Sequence, residues 1–198
     1  RVMRTADVCY PVLMNVHAPP RMTVEQFIDW AMAQPRGRYE LYGGRVVQMS
    51  PERTEHIEIK GNVYLALRMA VQKSQKKCHV LTDGATIRID SETAYEPDVV
   101  VYCGEKLAPD TIIIPEPVIV AEVTSPSSEA RDAGIKLAGY FKLPSVVHYL
   151  VVDPDDRLVV HHRRREDGEI VTRVVESGDL MLDPPGLTVS LADIFPAE

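Results

Sequence analysis

Two stretches, Pro97–Cys103 (PDVVVYC) and Pro117–Val123 (PVIVAEV), are apolar at almost every position rather than at alternate ones. A half-exposed strand alternates with period two, so continuous runs of this length and β-branched content predict strands covered on both faces. A sheet of that kind needs helices on either side, which limits the chain to an α/β architecture. Each run also carries one carboxylate near an end, Asp98 at the opening of the first and Glu122 near the end of the second. An isolated carboxylate is too costly to bury, so both need a partner, a metal or solvent.

The flanking sequence supplies the remaining elements. Thr23 followed by Gln26 is a capping box, and Val24, Phe27, Ile28 and Ala31 recur at helical spacing, predicting a helix to about residue 33. Tyr39–Tyr42 and Arg45–Met49 flank Gly43-Gly44, a two-residue hairpin signal. Ser50-Pro51 reads as an N-cap with proline in the first turn of a long helix to about Gln75, lined by Ile59, Val63, Ala66, Leu67 and Ala70. Val80–Thr82 and Thr86–Ile89 flank Asp83-Gly84, a second hairpin signal. After the two apolar strands, Ser125-Pro126-Ser127-Ser128 predicts a turn and cap opening a helix through Tyr140. A further buried strand is expected over Val146–Val152. Leu158–Arg164 and Ile170–Glu176 form a last hairpin, and Leu191–Phe195 a short terminal helix.

At 198 residues, with 45% hydrophobic and 26% charged residues, the chain fits one globular domain over 22–198, preceded by a poorly ordered arm over 1–21. That arm lacks the apolar core of a secretory signal, and no apolar run reaches the roughly 20 residues of a membrane span. Cys9, Cys78 and Cys103 are odd in number and form no CxxC pair, so buried free thiols in a reducing cytoplasm are expected. The net charge of −7 argues against a dedicated nucleic-acid binder, whose footprint is normally basic, but not against an enzyme that holds nucleic acid through a metal.

A single strand-end acid more often caps a turn or pairs with arginine than binds metal. Two of them on consecutive buried strands can share one crevice, an oxygen-rich setting that suits Mg²⁺ or Mn²⁺ better than zinc. Pro97-Asp98, Glu122-Val123-Thr124-Ser125-Pro126-Ser127, Asp132 and Lys136 resemble the PD-(D/E)xK nuclease superfamily. Within it they are similar to the large bacterial Uma-type family of restriction-endonuclease-like proteins. Arg38-Tyr39-Glu40-Leu41, Gly43-Gly44, His56, Val152-Asp153-Pro154 and Leu191-Ala192-Asp193-Ile194-Phe195 extend the resemblance over about residues 22 to 196.

The resemblance implies a restriction-endonuclease-like core, a mixed β-sheet flanked by helices. Asp98 and Glu122 then take the metal-ligand positions, with the Val123 carbonyl as a further oxygen and Glu40 as an acid completing the site. A lysine normally stands two positions after the glutamate; here that residue is Thr124, and Lys136, 14 residues after Glu122, can restore the ammonium from the following helix. Spacing alone also allows a surface ion pair of Lys136 with Asp132, worth ~0.3–0.5 kcal/mol.

The activity implied is Mg²⁺- or Mn²⁺-assisted hydrolysis of DNA phosphodiester bonds, with Lys136 stabilising transition-state charge. Two nearby carboxylates raise its pKa, so it is a poor general base. His56, Thr124 and Asp132 are supporting or substrate-contacting candidates. The basic runs His161–Arg165 and Lys73, Lys76 and Lys77 are more often solvated surface than phosphate contacts. A homodimer would place two sites for cutting two strands. Competing readings are a catalytically weak or inactive nucleic-acid-binding or scaffold protein of the same fold, and a metal-dependent hydrolase of small phosphodiesters.

Overall fold

The computed structural model describes residues 20–124 and 130–197, with side chains 130–133 also left out. The expected arm over 1–21 thus falls almost wholly outside the described residues, as do Cys9 and the Ser125–Ser128 cap.

Helix α1 (Val24–Met32) begins at the capping box, where Thr23 and Gln26 bond reciprocally. The hairpin β1 (Tyr39–Tyr42) and β2 (Arg45–Gln48) turns through Gly43 and Gly44, with φ of 52° and 79°, the paired left-handed conformations of a type I′ turn. Helix α2 (Thr54–Ser74) and strand β3 (Cys78–Thr82) follow. Then come β4 (Ile87–Arg88), β5 (Ala94–Tyr95), β6 (Val99–Cys103), β7 (Pro117–Val123) and helix α3 (Ala130–Tyr140). The chain closes with β8 (His148–Asp153), β9 (Leu158–Arg164), β10 (Ile170–Val175), β11 (Asp179–Leu182), β12 (Leu187–Ser190) and α4 (Leu191–Ile194).

The main sheet has the order β10-β9-β8-β7-β6-β3, antiparallel except for the parallel β7–β8 pair that α3 connects. A small sheet, β2-β1-β5-β4, and the β11-β12 ribbon lie beside it. Both apolar runs are central strands, and Val99, Val100, Val101, Ile119, Val120 and Ala121 are fully buried. On one face Val99, Val101, Ile119 and Ala121 pack with Val63, Ala66 and Leu67 of α2; on the other, Val100 and Val120 pack with Tyr140 of α3. The expected mixed sheet with helices on both faces is therefore present.

Three expectations are corrected. Helix α2 starts at Thr54 with Arg53 as N-cap, not at Ser50-Pro51; Pro51–Arg53 lie outside the helix, and Glu52 reaches into the interior. Asp83-Gly84 does not close a hairpin: β3 pairs with β6, and β4 with β5 of the other sheet. The turn instead serves the site, since Gly84 N–H donates to Glu96 and Asp83 pairs with Lys60. Finally, Cys78 and Cys103 are joined as a disulfide, because β3 and β6 place them as direct cross-strand partners, a proximity no linear spacing shows.

The expected basic run on β9 is divided by strand alternation. His161 is buried and lies 2.9 Å from His148, whose other ring nitrogen donates to the Pro184 carbonyl. Arg164 turns to the segment that follows α3, donating to the carbonyls of Phe141, Leu143 and Val146. Burial, reinforced by His161, lowers the His148 pKa to about 3; burial, with Arg163 adding, lowers that of His161 to about 4. Both folded values lie below the unfolded one, so the unfolded chain takes up protons the native state refuses. Stability from this pair is complete above about pH 6.5 and falls as the pH drops towards 4. By pH 5 the loss should reach roughly 2 kcal/mol per imidazole, and urea denaturation of wild type and His148→Gln across pH 7.5 to 4.5 should show a flatter profile for the variant.

Candidate active site

The residue pair Val99–Ala121 is the last in register between β6 and β7 on the Asp98 side. One step beyond it stand Asp98 and Glu122, so the two sequence-predicted acids meet at one end of adjacent strands. Asp98 is 4% exposed, and its Oδ2 accepts from Val123 N–H at 2.7 Å. Burial alone would raise its pKa, but His56 and that N–H outweigh it and hold the carboxyl below the ordinary range.

Lys136 arrives from α3. Its Nζ lies 2.8 Å from Glu122 Oε1 and 3.0 Å from Glu40 Oε1. Burial opposes its charge, yet Glu122 and Glu40 more than offset this and raise its pKa, so the ammonium is retained. Glu122 behaves oppositely. Burial pushes its pKa up to about 7, Lys136 partly counters that, and Asp98 and Glu40 add to the rise. Tyr140 O–H also donates to Glu122 Oε1, at 2.7 Å. Glu40, which by sequence could face solvent, is buried; it accepts from Glu96 N–H at 2.8 Å and from Tyr42 O–H at 2.7 Å.

His56 stands beside this group, with Nε2 3.5 Å from Asp98 Oδ2 and 4.0 Å from Glu52 Oε1. Glu52, His56 and Asp98 present ligand atoms within 4.8 Å of one another, the arrangement a metal ion could occupy. Both ring nitrogens of His56 are fully buried and without a hydrogen-bond partner. Glu52 was not singled out by sequence, nor was Lys60, which is buried and pairs with Glu52, with Asp83 at 3.1 Å and with Asp98 at 3.8 Å. A signal existed: His56 and Lys60 continue the stripe of Val63 and Leu67, so two polar residues sit where an amphipathic helix should be apolar. Arg38 completes the cluster, contacting Glu52, Asp83 and Glu96 at 3.1, 2.8 and 2.8 Å.

Among the described residues, Glu40, Glu52, Asp83, Glu96, Asp98 and Glu122 face the three permanent cations Arg38, Lys60 and Lys136. The surplus of carboxylates and the unsatisfied imidazole fit a divalent cation. Thr124 is turned elsewhere, its N–H and hydroxyl both directed at the Val152 carbonyl. The Asp132 side chain lies outside the described residues.

A mixed sheet with α2 and α3 on its faces and an acid–lysine cluster at one strand end defines a restriction-endonuclease-like protein. The model of the Uma2 family, described as "Putative restriction endonuclease", matches residues 24–194, and the chain belongs to that family. An uncharacterized protein of Synechocystis sp. is 27% identical over 188 residues, covering 92% of this chain and 97% of its own. The crystal structure of "a putative nuclease belonging to DUF820" from Anabaena variabilis superposes with a TM-score of 0.68 at 18% identity, over 88% of this chain and 97% of that one, a likeness of fold.

Gly139 sets how closely α3 approaches the small sheet. A Cβ there would lie 2.6 Å from the Tyr95 ring, over which Lys136 sits at 5.8 Å from the centroid. Ala gains up to ~1 kcal/mol in helix propensity, but overpacking against a rigid ring costs about 1–3 kcal/mol and should win. Gly139→Ala should therefore lower stability in urea denaturation. Lys136→Met, which leaves two buried carboxylates uncompensated, should cost more, about 3–5 kcal/mol.

Proposed function

We propose that this chain is a metal-dependent endonuclease that hydrolyses DNA phosphodiester bonds. The observation that carries the reading is the Lys136 ammonium, its side chain only 13% exposed, held between Glu122 and Glu40 at the strand end where Asp98 also lies. Asp98 and Glu122, with the Val123 carbonyl, would hold Mg²⁺ or Mn²⁺. When bound, such an ion supplies Lewis-acid polarisation of a phosphate oxygen and a lowered pKa for a coordinated water.

Lys136 stays protonated, so its role is to place positive charge against the oxygens of the reacting phosphate rather than to accept a proton. Glu40 fixes the ammonium from the β1 side, and Tyr140 orients Glu122. Val123 N–H sets the rotamer of Asp98, leaving its other oxygen turned towards Lys60. No helix among the described residues is long and apolar enough to cross a membrane. A homodimer would present one such site to each strand of a duplex.

Thr124 in the position where the superfamily carries lysine favours a second reading, a nucleic-acid-binding protein without catalysis. One assay separates the two. Purified wild type should nick supercoiled plasmid or cut single-stranded DNA with Mg²⁺ or Mn²⁺, and not with EDTA. Asp98→Ala and Glu122→Ala should lose the activity, and Lys136→Ala should lose ~10²–10³-fold. Equal cleavage by wild type and Glu122→Ala would show a contaminating nuclease and remove the proposal. DNA retention without cleavage would support the binding protein.

A further inference from the structure

We infer that Glu52, His56 and Asp98 form a second divalent-cation site, distinct from the Asp98–Glu122 position and sharing Asp98 with it. The inference extends the reading under Proposed function. For metal–ligand bonds of ~2.1 Å, neighbouring ligand atoms lie about 3 Å apart and opposite ones about 4.2 Å. Two of the separations, 3.5 Å from His56 Nε2 to Asp98 Oδ2 and 4.0 Å to Glu52 Oε1, fall inside that interval, and all three ligand atoms lie within 4.8 Å of one another. The three groups come from separate places: Glu52 precedes α2, His56 is in its first turn and Asp98 leads into β6.

The imidazole is the telling group. Its ring nitrogens are buried and make no hydrogen bond, Nε2 meeting Asp98 Oδ2 only as an ion-pair contact at 3.5 Å. A cation between them would give Nε2 a direct bond in place of that long contact. Lys60 and Arg38 hold the carboxylates of Glu52 and Asp98 in place, but each carboxylate oxygen has a second lone pair to offer.

A nitrogen ligand separates this site from the all-oxygen one. It favours Mn²⁺ or a later first-row ion over Mg²⁺. Two cations sharing one carboxylate would stabilise both the attacking and the leaving oxygen of an in-line displacement.

The test is Mn²⁺ binding to the whole chain, read by EPR titration and by electron spin-echo modulation from ¹⁴N. Wild type should bind two Mn²⁺ per chain, one with imidazole modulation. His56→Gln should lose that modulation and one equivalent while keeping the wild-type circular dichroism. Glu52→Gln, which retains the imidazole, should weaken the same ion about tenfold or more. Glu122→Gln should keep the imidazole-coordinated ion and lose the other; a wild type that binds only the imidazole-coordinated ion would fail the Asp98–Glu122 reading while sparing this one. Wild type without ¹⁴N modulation, or modulation that persists in His56→Gln, would overturn the second site.

Discussion

The arrangement depends on one largely enclosed ammonium, that of Lys136. Glu40 and Glu122 come from different sheets, β1 and β7, and neither could stay charged in the interior without a counter-ion. Lys136 reaches both from α3 and so ties a helix, the main sheet and the small sheet through one nitrogen. The tyrosines around it, Tyr42 and Tyr140, donate to Glu40 and Glu122. Glu122 is nonetheless under-compensated: burial, with repulsion from Asp98 and Glu40 adding, outweighs Lys136 and raises its pKa. A fold that retains such a group carries a stability cost at that point.

Much of this was legible in the sequence because it rests on local pattern. The runs around Val99–Val101 and Ile119–Ala121 are apolar because both faces are covered, and covering is what continuous apolarity encodes. The capping box at Thr23 and the glycine pair at Gly43-Gly44 are likewise local, and both formed where their chemistry predicts. Asp98 and Glu122 were visible as charges that interrupt apolar runs, and adjacency of the strands brings them together.

What was not legible depends on pairings between distant segments. Cys78 and Cys103 become neighbours only through the β3–β6 register, and Asp83-Gly84 looks like a hairpin turn until β3 and β4 join different sheets. Glu52 was hidden by a boundary error: placed in the first turn of a helix starting at Pro51, it reads as a dipole-stabilising acid. With the helix beginning three residues later, the same side chain enters the interior and meets Lys60. Lys60 was the missed clue, since a charge on the same stripe of α2 as His56, Val63 and Leu67 had no explanation in a purely packed helix.

The Arg164 guanidinium gives α3 an unequal tolerance to changes in length. By gripping the Phe141 and Leu143 carbonyls, it pins the tail of the helix to β9. The axial position of Lys136 is therefore measured back from that anchor. One residue inserted between Lys136 and Phe141 would slide the ammonium about 1.5 Å and swing it by about 100°, out of reach of both carboxylates. One inserted ahead of Lys136 would leave the ruler intact. Variation in the spacing from Glu122 to the lysine is thus compatible with a fixed Lys136–Glu122–Glu40 geometry, whereas variation between the lysine and the anchor is not.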